Sequence, residues 1–154
     1  MSEGMFEGIS KEISESYGIA LLKIGEAALK SGLSVKTIRY YDEIGLLTPT
    51  VERSKSGYRL FRPQVLQRLA FIRRAQALGL HLSEVQQILT VHDQGELPCG
   101  EVKQHLEAKV AEVRQQIEAL ETLELELEGI LSGWQDHPDG ERLEQTICPN
   151  LQGA

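Results

Sequence analysis

The chain has 154 residues, 41% of them hydrophobic, and a net charge of −7, which suits one compact domain or a small domain with a long appended element. It contains no run of about 18 or more apolar residues, so the sequence predicts no membrane span. The first residues lack a basic segment followed by an apolar core, and we therefore expect a cytoplasmic protein without a secretory signal.

The charge is unevenly distributed along the chain. Residues 1–20 have a net charge of −3, residues 21–89 of +6 and residues 90–154 of −10. Local field matters more than total charge for the attraction of phosphates, so the central basic block predicts an anion-binding module joined to something else. Residues 1–21 form an acidic extension that is expected to be disordered, unless the true start of the protein lies further in.

The segment "KIGEAALKSGLSVKTIRYYDEIGLL" predicts two short helices. The first covers residues 24–30 and is broken at Gly32. Ser34 is then the expected N-cap of a helix over residues 35–44. Two helices joined by a tight turn that contains glycine are typical of a helix-turn-helix.

A basic hairpin follows this pair of helices. The segment "PTVERSKSGYRLFRP" has a proline near each end, a Ser-Lys-Ser-Gly turn and the strand-like "YRLF", which together predict a wing. Pro63 is expected to open the next helix, which ends at Gly79, and Ser83 to cap another. Residues 22–92 are therefore predicted to form a winged helix-turn-helix domain.

Residues 98–132 are predicted to form a long dimerisation helix. Four apolar residues recur there at intervals of seven: Leu106, Val113, Leu120 and Leu127. This repeat is the seam of a coiled coil, on a helix about 48 Å long. The seam needs a partner, and the same helix of a second subunit would supply it in a homodimer; packing on the chain's own DNA-binding domain is the alternative.

The chain ends in a segment, residues 133–154, that is broken by glycine and proline. It leaves room for a loop around His137 and a short turn after it. The sequence shows no nucleophile paired with a base, no phosphate-binding loop and no H-E-x-x-H motif, so we expect no enzyme.

Taken together, residues 23–131 resemble the MerR family of bacterial transcription regulators, in particular its heavy-metal-responsive branch. The resemblance rests on "KIGEAALKSGLSVKTIRYYDEIGLL", the "GYR" of the wing, "LQRLAFIRRAQALGLHLSEVQQIL" and the long helix. It implies a mainly α fold: an N-terminal winged helix-turn-helix, a homodimer joined through an antiparallel coiled coil, and a short C-terminal effector loop.

The resemblance also implies a mode of action. Such a dimer binds double-stranded promoter DNA with or without its effector, and the effector makes it bend and untwist the DNA so that RNA polymerase can engage the promoter. The effector then needs only to favour one of two dimer geometries on DNA.

Eight side chains are the candidates for DNA contacts. Two lie near the N-terminus of the second helix, where recognition helices meet base edges, and the others are expected to meet phosphates. The base-reading candidates are Lys36 and Thr37, and the phosphate-binding candidates are Arg39, Tyr40, Arg53, Lys55, Tyr58 and Arg59. Tyr41 is expected to pack into the core.

The resemblance implies a metal site that is shared between two subunits. Cys99 stands where the family's metal sensors place a ligand at the start of the dimerisation helix, and Cys148 matches a cysteine of their effector loop. The family's loops usually hold another cysteine eight to ten residues earlier; this chain has none there, and His137 is the nearest donor of similar chemistry. Cys99 of one subunit with Cys148 and His137 of the other would suit Hg(II), Zn(II), Cd(II) or Pb(II).

Two alternatives remain open at the level of sequence. In the first, the two thiols sense oxidants or electrophiles through modification or disulfide formation instead of binding a metal ion. Alternatively, the chain is a DNA-binding protein without a small-molecule effector, in which case both cysteines are dispensable.

Overall fold

A computed structural model describes residues 20–140 and 143–152 of the chain. The acidic extension falls almost entirely outside these residues. In chain order the elements are β1 (Leu22–Lys23), α1 (Ile24–Ser31), α2 (Val35–Glu43), a 3-10 turn (Thr48–Thr50), β2 (Val51–Arg53), β3 (Arg59–Phe61), α3 (Val65–Ala77), α4 (Leu82–Asp93), α5 (Cys99–Ser132) and α6 (Pro149–Gln152). Two compact units divide within α5, between His105 and Leu106.

The turn between α1 and α2 forms as the sequence predicts. Gly32 ends α1 with a positive φ of 75°, a conformation that favours glycine, and its N–H donates to the Ala28 carbonyl at 3.0 Å. The Ser34 hydroxyl accepts the Thr37 N–H at 3.0 Å and so caps α2. Interactions between neighbouring residues therefore set where α1 ends and where α2 begins.

The wing is the hairpin of β2 and β3, which belongs to a small antiparallel sheet in the strand order β1-β3-β2. In the predicted hairpin, Arg53 of β2 lies opposite Arg59 of β3, and Gly57 turns the chain with a φ of 86°. The sequence did not predict β1, which pairs Leu22 with Phe61. That strand ties the start of α1 to the wing.

One apolar core lies beneath α1 to α4 and the sheet. Its largest fully buried side chains are Phe61, Ile38, Leu46, Leu47, Leu69, Ile72, Ile88, Val65 and Val85. Tyr41 belongs to this core, as expected, and its hydroxyl donates to the side chain of Gln76. Burial, and to a lesser degree the neighbouring Tyr40, raises the pKa of the Tyr41 phenol, so this hydroxyl stays protonated.

Two helix starts differ from the sequence prediction. Helix α3 begins at Val65 and not at Pro63, which belongs to the preceding turn and accepts the Leu66 N–H at 3.1 Å. Helix α4 begins at Leu82, so Ser83 lies inside it and is not its cap. Instead, the Glu84 carboxylate accepts the backbone N–H of His81 at 3.2 Å, and this bond holds the first turn of α4.

Helix α5 extends over 34 residues, as the heptad pattern predicts. Its first turns belong to the N-terminal unit: Val102 packs against the core, and His105 Nδ1 lies 3.2 Å from Glu84 Oε2. In the second unit the apolar positions of the seam are exposed, among them Val113 (43%), Leu120 (64%) and Leu127 (50%). Among the described residues, none of the helices is long and apolar enough to cross a membrane.

Arg68 of α3 is a buried charge, with only 6% of its side chain exposed. Its guanidinium donates to the two carboxylate oxygens of Asp93 at 2.6 and 2.9 Å, and its Nε donates to the Leu46 carbonyl. One side chain thus joins α3, the end of α4 and the segment that follows α2. The pair is bidentate, the geometry in which an arginine–carboxylate interaction is strongest.

Replacing Asp93 with asparagine should leave the Arg68 charge buried without its counter-charge. We expect the free energy of unfolding to fall by about 2 kcal/mol, less than for a fully buried pair because the Asp93 side chain is 29% exposed. Urea unfolding at a fixed protein concentration measures this change. Glu52→Gln is the matched control, since the Glu52–Arg62 pair is exposed on both sides and should contribute less than about 1 kcal/mol.

Candidate DNA-binding surface and effector loop

Helix α2 presents several of the predicted DNA contacts to solvent. Lys36 and Arg39 are exposed, and Tyr40 is 49% exposed. Thr37 is half-buried, and its hydroxyl oxygen lies 2.8 Å from that of Ser34. Of the two base-reading candidates, Lys36 is therefore the more accessible.

Four of the predicted contacts come together in one groove. Arg39 of α2 lines it with Arg53, Tyr58 and Arg59 of the wing, along with the first turn of α1. Lys55 is exposed at the tip of the hairpin. Three guanidinium groups and a half-exposed phenol on one concave surface suit a phosphate backbone, which offers regularly spaced anionic oxygens.

Asp42 organises this groove, a role that sequence analysis did not assign to it. Its carboxylate accepts from Arg59 Nε at 2.5 Å and lies 3.9 Å from Arg53 Nη2, so it links the end of α2 to both strands of the wing. The side chain of Arg59 is only 18% exposed. Arg59 therefore anchors the wing, and Arg39 and Arg53 are the more exposed of the three arginines of the groove.

The predicted metal ligands are divided between the two units. Cys99 is the first residue of α5 and is exposed. Cys148 is half-buried and lies directly before α6, and His137 is exposed on the segment that follows α5. Both cysteines are free thiols, as the prediction of metal ligands requires.

Thiolate sulfur and imidazole nitrogen are types of donor atom that bind soft divalent metal ions. Within residues 20–140 and 143–152, however, no group of three or more histidine, cysteine, aspartate or glutamate side chains is arranged to hold a metal ion. The sequence prediction divides the donors between two subunits, and a single chain is not expected to gather them.

Side-chain amides order the residues around Cys148. The Gln152 Oε1 atom accepts the N–H groups of Ile147 at 2.7 Å and Cys148 at 3.0 Å. Asn150 exchanges two hydrogen bonds of 2.8 Å with the backbone of Gln135. These contacts have no signal in the sequence, because asparagine and glutamine side chains have no preferred distant partner.

Comparison with known proteins identifies the family. The family described as "MerR HTH family regulatory protein" matches residues 22–91, and the family described as "MerR, DNA binding" matches residues 66–130. The mercuric resistance operon regulatory protein of Bacillus cereus is 39% identical over 102 residues, which cover 66% of this chain and 76% of that protein. An uncharacterized HTH-type transcriptional regulator of Pseudomonas aeruginosa is 44% identical over 133 residues, covering 85% of this chain and 94% of that one. The chain belongs to the MerR family.

A solved MerR-family structure shares the fold. The transcription regulator PbrR691 from Ralstonia metallidurans CH34, crystallised in complex with lead(II), matches with a TM-score of 0.67 and 38% identity. The match covers 77% of this chain and 91% of that protein. It confirms the predicted winged helix-turn-helix followed by a long helix. These two relatives are a regulatory protein of a mercuric resistance operon and a transcription regulator.

Removing the Asp42 carboxylate should loosen the wing of this MerR-family domain. In Asp42→Asn, Arg59 loses its 2.5 Å ion pair, and we expect faster amide hydrogen exchange in β3 and a loss of about 1 kcal/mol in stability. Glu43→Gln is a control at the next position, because the Glu43 carboxylate is exposed and lies 3.7 Å from Arg59. Equal exchange in both variants would contradict the anchoring role of Asp42.

Proposed function

We propose that this MerR-family chain is a metal-responsive regulator. It binds promoter DNA as a homodimer and, on binding a divalent soft metal ion, distorts that DNA to activate genes for metal resistance or homeostasis. The observation that supports this most directly is an exposed free thiol, Cys99, at the first residue of the long helix, in a chain that is 38% identical to a lead(II)-bound regulator.

The groove between α2 and the wing supports the DNA-binding part of the proposal. Arg39 and Arg53 line it, and Lys36 and Lys55 are exposed on the same two elements. Residues 21–89 have a net charge of +6 although the whole chain is acidic. The positive charge is thus concentrated where a recognition helix and a wing would meet the duplex.

The exposed seam of α5 supports the homodimer. Ile117 (49%), Leu120 (64%) and Leu123 (47%) are large apolar side chains that water would solvate at a cost in free energy. A heptad repeat of this kind is buried by knobs-into-holes packing against another helix. A second copy supplies an identical stripe, and an antiparallel arrangement would pair the two along their length.

The donor set supports a soft divalent ion as the effector. Cys99 of one subunit, with Cys148 and His137 of the other, would offer two thiolates and one imidazole. This set suits Zn(II) or Cd(II), while two thiolates alone satisfy Hg(II). Among the relatives are a mercuric resistance regulator and a regulator crystallised with lead(II). The ion, when bound, would join donors of both subunits.

The base of α5 supports a route from effector to DNA. Val102 packs against the core of the DNA-binding unit, and His105 lies 3.2 Å from Glu84 of α4. Cys99 therefore starts a helix whose first turns are fastened to that unit. A change in how Cys99 is held would favour one orientation of the DNA-binding unit, and the difference in DNA deformation energy would decide whether RNA polymerase engages the promoter.

Arg39→Gln should weaken binding to duplex DNA and make it less sensitive to salt. Each lost phosphate contact should reduce the slope of log affinity against log salt concentration by about 0.9. Fluorescence anisotropy across a series of salt concentrations measures the affinity and the slope. The DNA is a duplex that the wild-type protein has selected from random sequences. Lys109→Gln on α5 is the control and should leave the slope unchanged.

Lys36→Gln should instead relax the sequence preference. We expect the discrimination against a wrong base pair at the contacted position to fall by about 1–3 kcal/mol.

The reduced dimer should bind Hg(II), Cd(II), Zn(II) or Pb(II) at a fixed stoichiometry in competition with a chelator. Cys99→Ser and Cys148→Ser should each abolish that binding, because both subunits contribute a thiolate. His137→Gln should weaken Zn(II) and Cd(II) more than Hg(II), with the exposed histidine His92→Gln as its control. Binding that is indifferent to both cysteine substitutions would rule out this site and favour a signal through thiol modification or a protein partner.

A further inference from the structure

The residues around Cys148 are held by polar contacts more than by a core. Leu143 is 79% exposed and Ile147 is 94% exposed, so apolar burial contributes little to their order within the chain. Helix α6, directly after Cys148, has only four residues and no buried side chain. A donor that must meet a ligand at a fixed place needs some other support there.

Gln152 provides one such support. Its single Oε1 atom accepts the Thr146 hydroxyl at 2.8 Å, the Ile147 N–H at 2.7 Å and the Cys148 N–H at 3.0 Å. Three consecutive residues that end at the cysteine thus converge on one oxygen. The Gln152 N–H in turn donates to the Cys148 carbonyl at 3.0 Å, so both backbone polar groups of Cys148 bond to the same residue.

Asn150 provides the second support. Its Oδ1 accepts the Gln135 N–H and its Nδ2 donates to the Gln135 carbonyl, both at 2.8 Å. These two bonds close the chain between the segment after α5 and the helix after Cys148. Gln135 lies two residues before His137. The two hydrogen bonds, called the Asn150 staple below, therefore join the segment that contains His137 to the segment that contains Cys148.

We infer that Gln152 and Asn150 are positioning residues for the metal donors Cys148 and His137. The inference rests on the proposed function, and it explains how a segment with exposed apolar side chains can still present an ordered donor pair. Gln152 holds the backbone of Cys148 itself, and Asn150 holds the backbone two residues before His137. Loss of such supporting contacts typically weakens metal binding by about 10- to 100-fold.

The test compares substitutions that keep or remove the hydrogen bonds. Gln152→Met keeps the length of the side chain and removes the acceptor, whereas Gln152→Glu keeps an acceptor oxygen in the same place. Asn150→Leu removes the staple to Gln135 without a large change in volume. Gln145→Met, an exposed glutamine of the same loop, is the matched control for loss of an amide.

The first readout uses the metal-free protein in a Cys99→Ser background, where Cys148 is the single remaining thiol. Gln152→Met should react faster with a maleimide and exchange the Cys148 amide proton faster, while Gln152→Glu and Gln145→Met should match the parent. Trp134 is the chain's single tryptophan and precedes Gln135, so its fluorescence should change in Asn150→Leu. Unchanged reactivity, exchange and fluorescence would overturn the inference.

The second readout is Cd(II) affinity of the protein with both cysteines, followed by thiolate-to-metal absorption in competition with a chelator. Gln152→Met and Asn150→Leu should bind about 10- to 100-fold more weakly, with Gln152→Glu restoring most of the affinity. If the wild type binds Cd(II) and the amide variants bind it equally well, the inference fails and the proposed function stands. If the wild type binds no soft divalent ion, the proposed function fails and the positioning role fails with it.

Discussion

The buried guanidinium of Arg68 is the interaction on which the DNA-binding unit depends. A charge with 6% exposure is tolerable only when it is fully paired, and Arg68 meets this requirement through Asp93 and the Leu46 carbonyl. Its partners come from the end of α4 and from the segment that follows α2. The requirement to pair one buried cation therefore holds α3, the end of α4 and the segment after α2 together.

A second ion pair, with both side chains less than 20% exposed, continues this arrangement into the wing. Asp42 at the end of α2 holds Arg59, so α2 and the hairpin are joined as one surface. The side chain of Arg59 is thus largely buried in this contact, whereas Arg39 and Arg53 are exposed.

Helix α5 belongs to both compact units. Its first turns pack with the DNA-binding unit through Val102 and His105, and the remainder presents an exposed apolar seam. Cys99 stands at the start of this helix. In the C-terminal segment, several amide hydrogen bonds hold the backbone around the half-buried Cys148.

The sequence by itself determined the features that depend on neighbouring residues. Glycine with positive φ at Gly32, the Ser34 cap and the heptad repeat of α5 each act within a few residues, so both helices of the turn, the wing hairpin and the long helix were predicted correctly. The candidate cysteines and basic side chains were also found from sequence, because their chemistry is a property of the residue.

Tertiary structure alone decided the contacts between distant residues. The pair Leu22–Lys23 becomes a strand only because β3 offers its backbone, and Pro63 was displaced from its expected helix by the turn that leaves the sheet. Arg68 meets Asp93 across 25 positions, and Gln135 meets Asn150 across 15. No local preference selects such partners; they are chosen when the folded chain brings two distant polar groups within hydrogen-bonding distance. For Arg68 the packed core also excludes the water that would otherwise solvate the guanidinium.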